Sequence, residues 1–338
     1  MNPTLTDDAT STERNPENIT TTVIRSIMQR ADRYGGTALA ALIIICIIFA
    51  ILTPQFLTAS NLLNVGRQSA VLIIVACGMT LVIISANIDL SVGSIVGLCA
   101  VIGASISADH GVPGVLTVLG VVILGALIGA VNGALVAWAK VNAFIVTLGM
   151  MTILRGVALT YTGGYPISKV PDDARFLGFG VVAGIPVALI LALLIFLVVA
   201  LILGRSVIGR HVYAVGGNEL SSHIAGVSVA QTKFFVFVAS GALCGFGAIV
   251  LLGRLGAGLP TSGEGLELDA IAAVIIGGAS LFGGRGSVFG TLFGALILAV
   301  LQNGLNLLGV NSFVIQILSG VIIILAVLLD RLRSRRTS

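Results

Sequence analysis

The chain has 338 residues, 57% hydrophobic and 9% charged, with a formal net charge of +4. Soluble domains carry about 25% charged residues, so a chain this apolar cannot dress a water-facing surface. Composition excludes a soluble enzyme and a nucleic-acid binder, and predicts an all-α polytopic membrane protein in contact with membrane lipid.

Residues 1–33 are polar, rich in Thr, Asn, Asp, Glu and Arg, and lack an apolar core with a small-residue cleavage site. They read as a disordered cytoplasmic tail without a removable signal peptide. A membrane span needs about 20 apolar residues. Candidates are 37–53, 69–85, 91–108, 115–138, 143–162, 184–204, 234–253, 268–281, 287–308 and 312–329. Several are short and 268–281 reads as a half-helix, so eight to ten spans are expected. They form one transmembrane domain over 34–330, followed by a basic cytoplasmic tail at 331–338. The four cysteines, Cys46, Cys77, Cys99 and Cys244, lie in apolar stretches and read as small buried hydrophobes.

Cytoplasmic loops carry an excess of Lys and Arg. With ten spans and the N-terminus inside, only Arg67, Arg155, Lys169, Arg175 and Arg254 of the 18 basic residues fall outside or within the membrane. Both termini and the polar stretch 205–233 are therefore expected in the cytoplasm, and 163–183 is expected as an irregular external segment. Gly125, Gly129 and Gly133 recur every four residues, and Gly241 with Gly245 and Gly290 with Gly294 repeat the spacing. Such spacing lets helix backbones approach closely.

No lysine follows a glycine, so there is no GxxxxGK[ST] phosphate loop and no means of handling ATP within this chain. HExxH, CxxC and GxSxG are also absent, and no catalytic residue, cofactor or metal site is expected. In 85–94 (SANIDLSVGS), Asp89 or Ser91 can cap the helix that follows, the Asp89 carboxylate can couple to a proton or ion, or the stretch can be a helix break lining the pathway. Glu264, Glu267 and Asp269 precede a short apolar run, where acidic groups suit a helix N-terminus or an external rim. Residues 277–287 (GGASLFGGRGS) read as a tight turn or hinge, with Arg285 at the cytoplasmic interface. Asn132, Arg155, Gln302, Asn303, Asn306 and Gln316 lie inside spans. They are expected to hydrogen-bond between helices, with Asn303 and Asn306 also candidates for the pathway and Arg155 placed to snorkel.

Six motifs now stand in order: IDLSVGS (88–94), AFIVTLGMMTILRG (143–156), GRHVYAVGGNE (209–219), ELDAIAAVIIGG (267–278), GGRGSVFGTLFGA (283–295) and QNGLNLLGV (302–310). Together they resemble the permease subunits of ribose-type ABC sugar importers, over roughly residues 35–330. The resemblance implies a multi-pass bacterial inner-membrane permease paired with a second permease subunit, most simply a copy of itself. It further implies cytoplasmic ABC ATPase subunits and an external sugar-binding protein, periplasmic or lipid-anchored. Residues 209–227 are similar to the segment that docks on the ATPase, which marks Gly209, Arg210, Tyr213, Gly216, Gly217, Asn218, Glu219 and Gly226 for coupling. Asp89, Ser91, Asn303 and Asn306 are the pathway candidates. The chain departs from the family pattern at Ala86-Asn87, where Gly-Gly is common, at 220–224, which is often Ala-rich with an Arg, and at Ser319, where a Lys is common. The alternative is an ion-coupled secondary transporter using Asp89 or Glu267.

Overall fold

The computed structural model describes residues 35–110, 112–168, 170 and 172–335. The expected tail at 1–33 and the last residues of the basic tail lie outside the described residues, as do Lys169 and Pro171. Thirteen helices are described: α1 (Gly36–Leu52), α2 (Ala59–Ile84), α3 (Val92–His110), α4 (Gly114–Ala137), α5 (Ala143–Thr162), α6 (Asp172–Phe179), α7 (Val187–Arg205), α8 (Val207–Gly217), α9 (Glu219–Ile224), α10 (Val229–Leu255), α11 (Leu266–Ile276), α12 (Val288–Leu307) and α13 (Ser312–Arg335). Strands β1 (Val181–Val182) and β2 (Ile185–Pro186) form a small antiparallel ribbon between α6 and α7.

Each of the ten expected apolar segments carries a helix. Six are long and apolar enough to cross a membrane: α2, α4, α5, α7, α10 and α12. Gly36–Leu52, Val92–Ile106 and Ser312–Ile322 are shorter apolar pieces, and α11 is the half-helix expected from its length. The outer helices expose large apolar side chains, such as Ile44 and Ile51 on α1, Ile145 and Ile153 on α5, and Phe313 and Ile317 on α13. An apolar surface this extensive belongs against lipid or another protein.

Helix α2 is the shaft of the bundle, buried continuously from Ser69 to Ile84. It starts at Thr58, whose hydroxyl accepts from the Asn61 N–H. It ends in a Schellman turn, in which Asn87 N donates to Val82 O and Ala86 N to Ile83 O. Around it lie α7, α10, α11 and α12. The glycine spacing fulfils its expectation. Gly125 and Gly129 of α4 lie against Gly241 and the Phe237 carbonyl of α10, so closely that a Cβ would overlap backbone. Gly290 and Gly294 of α12 lie the same way against Gly277 and Ala273.

Between α10 and α11 the chain leaves helical geometry at Gly256 (φ 69°) and turns back into the bundle. Gly258 sits against Ala100 and Ala104 of α3, while Ser262 and Gly263 sit against Gly97 and Gly93. Eleven residues of α3 separate those contacts, a depth of about 16 Å. α11, 11 residues long, continues for about the same distance. One membrane crossing is thus built from an irregular half and a helical half. Non-helical backbone at that depth is tolerable only inside protein.

The segment expected as irregular, 163–183, is largely ordered. Asp172 and Asp173 occupy the first turn of α6, the end that favours negative charge. Gly178 and Ala174 then press the helix onto Gly253 of α10.

Candidate functional site

The polar stretch 205–233, expected as a loop, is two helices and a cap. Ser206 accepts from Gly209 N and starts α8. Asn218 breaks it with extended backbone (φ −159°), and its Oδ1 accepts from Ser221 N at 2.8 Å to start α9. Gly226 (φ 81°) ends the excursion. Packing explains why so glycine-rich a sequence becomes helical: α8 buries Gly209, Val212, Val215 and Gly216 on one face.

The coupling candidates divide by direction. Toward the bundle, Tyr213 Oη donates to the Gly286 carbonyl at 2.8 Å, and burial pushes the phenol above its ordinary value, so it keeps that proton. A Cβ on Gly216 would overlap the Ile84 carbonyl oxygen, which already accepts from Gly284 N at 2.9 Å. Gly209 fits where α8 folds back on the Ile202 and Leu203 carbonyls. α8 therefore rests on both the end of α2 and the 283–286 turn, where Gly283, Gly284 and Gly286 all have positive φ. A cavity of about 770 Å³ beside this contact is lined by Arg210, Tyr213, Arg285 and Phe289.

Gly217 keeps its backbone against Gly284 of the turn, with open space where a side chain would go. Away from the bundle, Glu219 pairs with Lys233 at 2.8 Å, and Gly226 faces open space. Leu220 and Ile224, one turn apart on α9, are 70% and 78% exposed. Sequence reasoning did not single them out, although their i, i+4 spacing inside a polar stretch was the available signal.

The pathway candidates fall into two groups with separate partners. Asp89 is fully buried, and its Oδ1 accepts from Ser91 N at 2.9 Å and Ser91 Oγ at 2.6 Å. Ser240 of α10 approaches Oδ2 at 3.5 Å, and Asn132 of α4 donates to Ser91 Oγ at 2.9 Å. This network pins the α2–α3 break to α4 and α10. Asn303 exchanges amide hydrogen bonds with Asn61 of α2, at 2.9 and 3.0 Å, and Asn306 is exposed nearby. Arg155 does not snorkel. Its Nη1 donates to the carbonyls of Pro260 and Ser262, at 2.6 and 3.1 Å, and so holds the irregular half-crossing in place.

This architecture coincides with what comparison finds. Residues 61–327 match the family described as branched-chain amino acid transport system / permease component. The chain belongs to this permease family, in its ribose-type ABC branch. The ribose import permease protein of Escherichia coli strain K12 is 44% identical over 297 residues, covering 87% of this chain and 92% of the relative. That of Bacillus subtilis strain 168 is 44% identical over 310 residues, covering 91% and 94%. The D-allose transport system permease protein of E. coli K12 is 38% identical over 305 residues, covering 90% and 93%. No solved structure matches the chain. A family of transport permeases, rather than of enzymes, fits a multi-pass inner-membrane protein that works with an ATPase and a binding protein.

Proposed function

We propose that this chain is the membrane subunit of an ATP-driven importer of a neutral monosaccharide of the ribose type. The observation that carries the reading is α9, a short helix presenting Leu220 and Ile224 to solvent and joined through α8 to the 283–286 turn. The family description names amino acids, but the full-length relatives are named for sugars, and the six ordered motifs follow the latter.

The charge distribution supports a cytoplasmic location for both termini, α8 and α9, with α6 outside. Two copies of the chain pair in the membrane. Each seats Leu220 and Ile224 in a groove of an ATPase subunit, because an exposed apolar pair on a projecting helix calls for an apolar socket. When the ATPases close on ATP they displace α9. α8 is short and packed, so it moves as a unit and presses, through Gly216 and Tyr213, on the end of α2 and on the 283–286 turn. That turn joins α11 to α12, so the push tilts the half-helix and changes which end of the bundle is open. The protein forms and breaks no covalent bond in this cycle, and no residue here is assigned a catalytic role.

The test is reconstitution in proteoliposomes with and without the ATPase, following uptake of labelled D-ribose. Uptake is expected only with ATPase, ATP and binding protein present, and a Leu220→Asp/Ile224→Asp variant should lose it while remaining folded. Uptake that persists without the ATPase and collapses with an uncoupler overturns the reading in favour of ion coupling.

A further inference from the structure

Near the α6 end of the bundle lies a cavity of about 560 Å³, within the range of small-molecule sites. Four separate parts of the chain contribute its polar lining: Arg67 and Gln68 of α2, Arg254 of α10, Glu264 and Asp269 around the start of α11, and Gln302 of α12. Its floor is apolar, with Val71, Leu251 and Ala299.

Two cations and two carboxylates line one space, yet they are not paired with one another. Among the described residues the ion pair within 4.0 Å is Lys233–Glu219, at the opposite end. Asp269 faces Gln302 instead. The Arg67 guanidinium lies over the Phe179 ring, 4.9 Å from its centroid. Its Nε is buried and has no acceptor. A buried donor left unsatisfied is uncommon and points to a missing partner.

The lining selects the occupant. It sums to no net charge, so neither an anion nor a cation is favoured overall. It offers guanidinium and amide donors beside carboxylate and amide acceptors around one space of small-molecule size. Hydroxyl groups both donate and accept, and a ring carrying several of them can meet both kinds of group at once. We propose that this cavity is a holding site for the neutral sugar in transit, with Asp269 and Gln302 reading its hydroxyls and Arg67 and Arg254 donating to its oxygens. This proposal rests on the importer reading, and it adds a place in the permease where the substrate is recognised after the binding protein has released it.

The experiment uses the complete transporter, permease with ATPase and binding protein, in proteoliposomes, with labelled D-ribose, D-allose and D-xylose as probes. In Asp269→Asn and Gln302→Ala, uptake should fall about ten-fold or more, while ATP hydrolysis stimulated by loaded binding protein stays at the wild-type level. Gln68→Trp, a substitution at the exposed rim, should block uptake by filling the cavity, and its melting temperature should match the wild type. Gln302→Asn should alter the ratio of uptake rates among the three sugars, which a purely structural role would not do. Wild-type uptake with an unchanged sugar ratio in Gln302→Asn, together with unimpaired uptake in Gln68→Trp, overturns the holding site and leaves the importer reading intact. Loss of stimulated hydrolysis alongside uptake in Asp269→Asn and Gln302→Ala also overturns it. ATP-dependent uptake of none of the three sugars by the wild type overturns the importer reading, and the holding site with it.

Discussion

Glycine serves two regions of this molecule in opposite ways. Between α4 and α10, Gly125, Gly129, Gly241 and Gly245 keep ordinary helical geometry and contribute only the absence of a side chain, so that two backbones touch. In the 277–286 turn, Gly278, Gly283, Gly284 and Gly286 contribute positive φ, a conformation that other residues adopt with strain. The first arrangement locks a long interface along its length. The second lets the chain reverse within a few residues beside α8, the helix that carries the proposed ATPase contact. A bundle that must alternate needs both, one surface that does not slip and one short place where it gives.

Breaking the locked surface should have the largest effect. Gly129→Leu pushes a side chain into the Phe237 carbonyl, where no rotamer change can make room. Loss of about 3 kcal/mol or more of stability is expected, seen as aggregation in size-exclusion chromatography and a lower melting temperature in detergent. Gly216→Ala is the matching change at the yielding surface, where the added methyl meets the Ile84 carbonyl. The overlap is relieved only by moving α8 off the end of α2, so ATP-driven uptake should fall about ten-fold, with the melt lowered by less than in Gly129→Leu because α8 is a short helix that can move as a unit. If Gly216→Ala unfolds the protein as Gly129→Leu does, the two regions are not different in kind.

Tyr213→Phe sharpens the comparison by removing one hydrogen bond and no volume. A net loss of about 1 kcal/mol is expected, giving a several-fold weaker coupling of uptake to ATP hydrolysis without loss of either partner. The phenol is raised above its ordinary value of 10 by burial. The stability it contributes is therefore fully present below about pH 10 and is lost only as pH rises beyond that. Coupling measured between pH 6 and 9 should show no titration that Tyr213→Phe abolishes.

The smallest effect is expected at Ala86. It occupies the left-handed position of the Schellman turn that ends α2, at φ 59°, and glycine is the usual occupant. The equivalent position after α11 is Gly278, at φ 90°. Ala86→Gly should stabilise the protein by up to about 1 kcal/mol, read as a small rise in melting temperature. A fall would mean that the methyl group's contact with Gly283 outweighs the backbone strain.

Much of this was legible before any coordinates. Apolar runs mark helices because lipid leaves the backbone no other partner, and small residues every four positions mark a close-packing face, so the faces carrying Gly125, Gly241 and Gly290 could be anticipated by residue, though not which face meets which. Ala86 stood out as a departure from the family pattern, though its strain needed a dihedral angle to be seen. What escaped were features set by direction and packing. Arg155 lies near a helix end, but sequence spacing does not say whether it points to lipid headgroups or to the carbonyls of 260 and 262. The 205–233 stretch has the composition of a loop, and becomes helical because Val212 and Val215 find a groove. The cavity near Asp269 draws on four parts of the chain, and no local pattern joins Arg67 to Gln302.

The crossing made of 257–265 and α11 also constrains how the protein is made. An 11-residue helix carrying two carboxylates in its first turn is too short to partition into a bilayer of about 30 Å by itself, and the irregular backbone before it has nowhere to go without α3 and Arg155. This piece must therefore enter a bundle that has already assembled α2 to α5, as a hairpin carried in with α12. A nascent chain in which 257–276 has left the ribosome while α12 has not would hold an exposed, half-inserted segment, and that interval is where membrane quality-control proteases should find it most vulnerable.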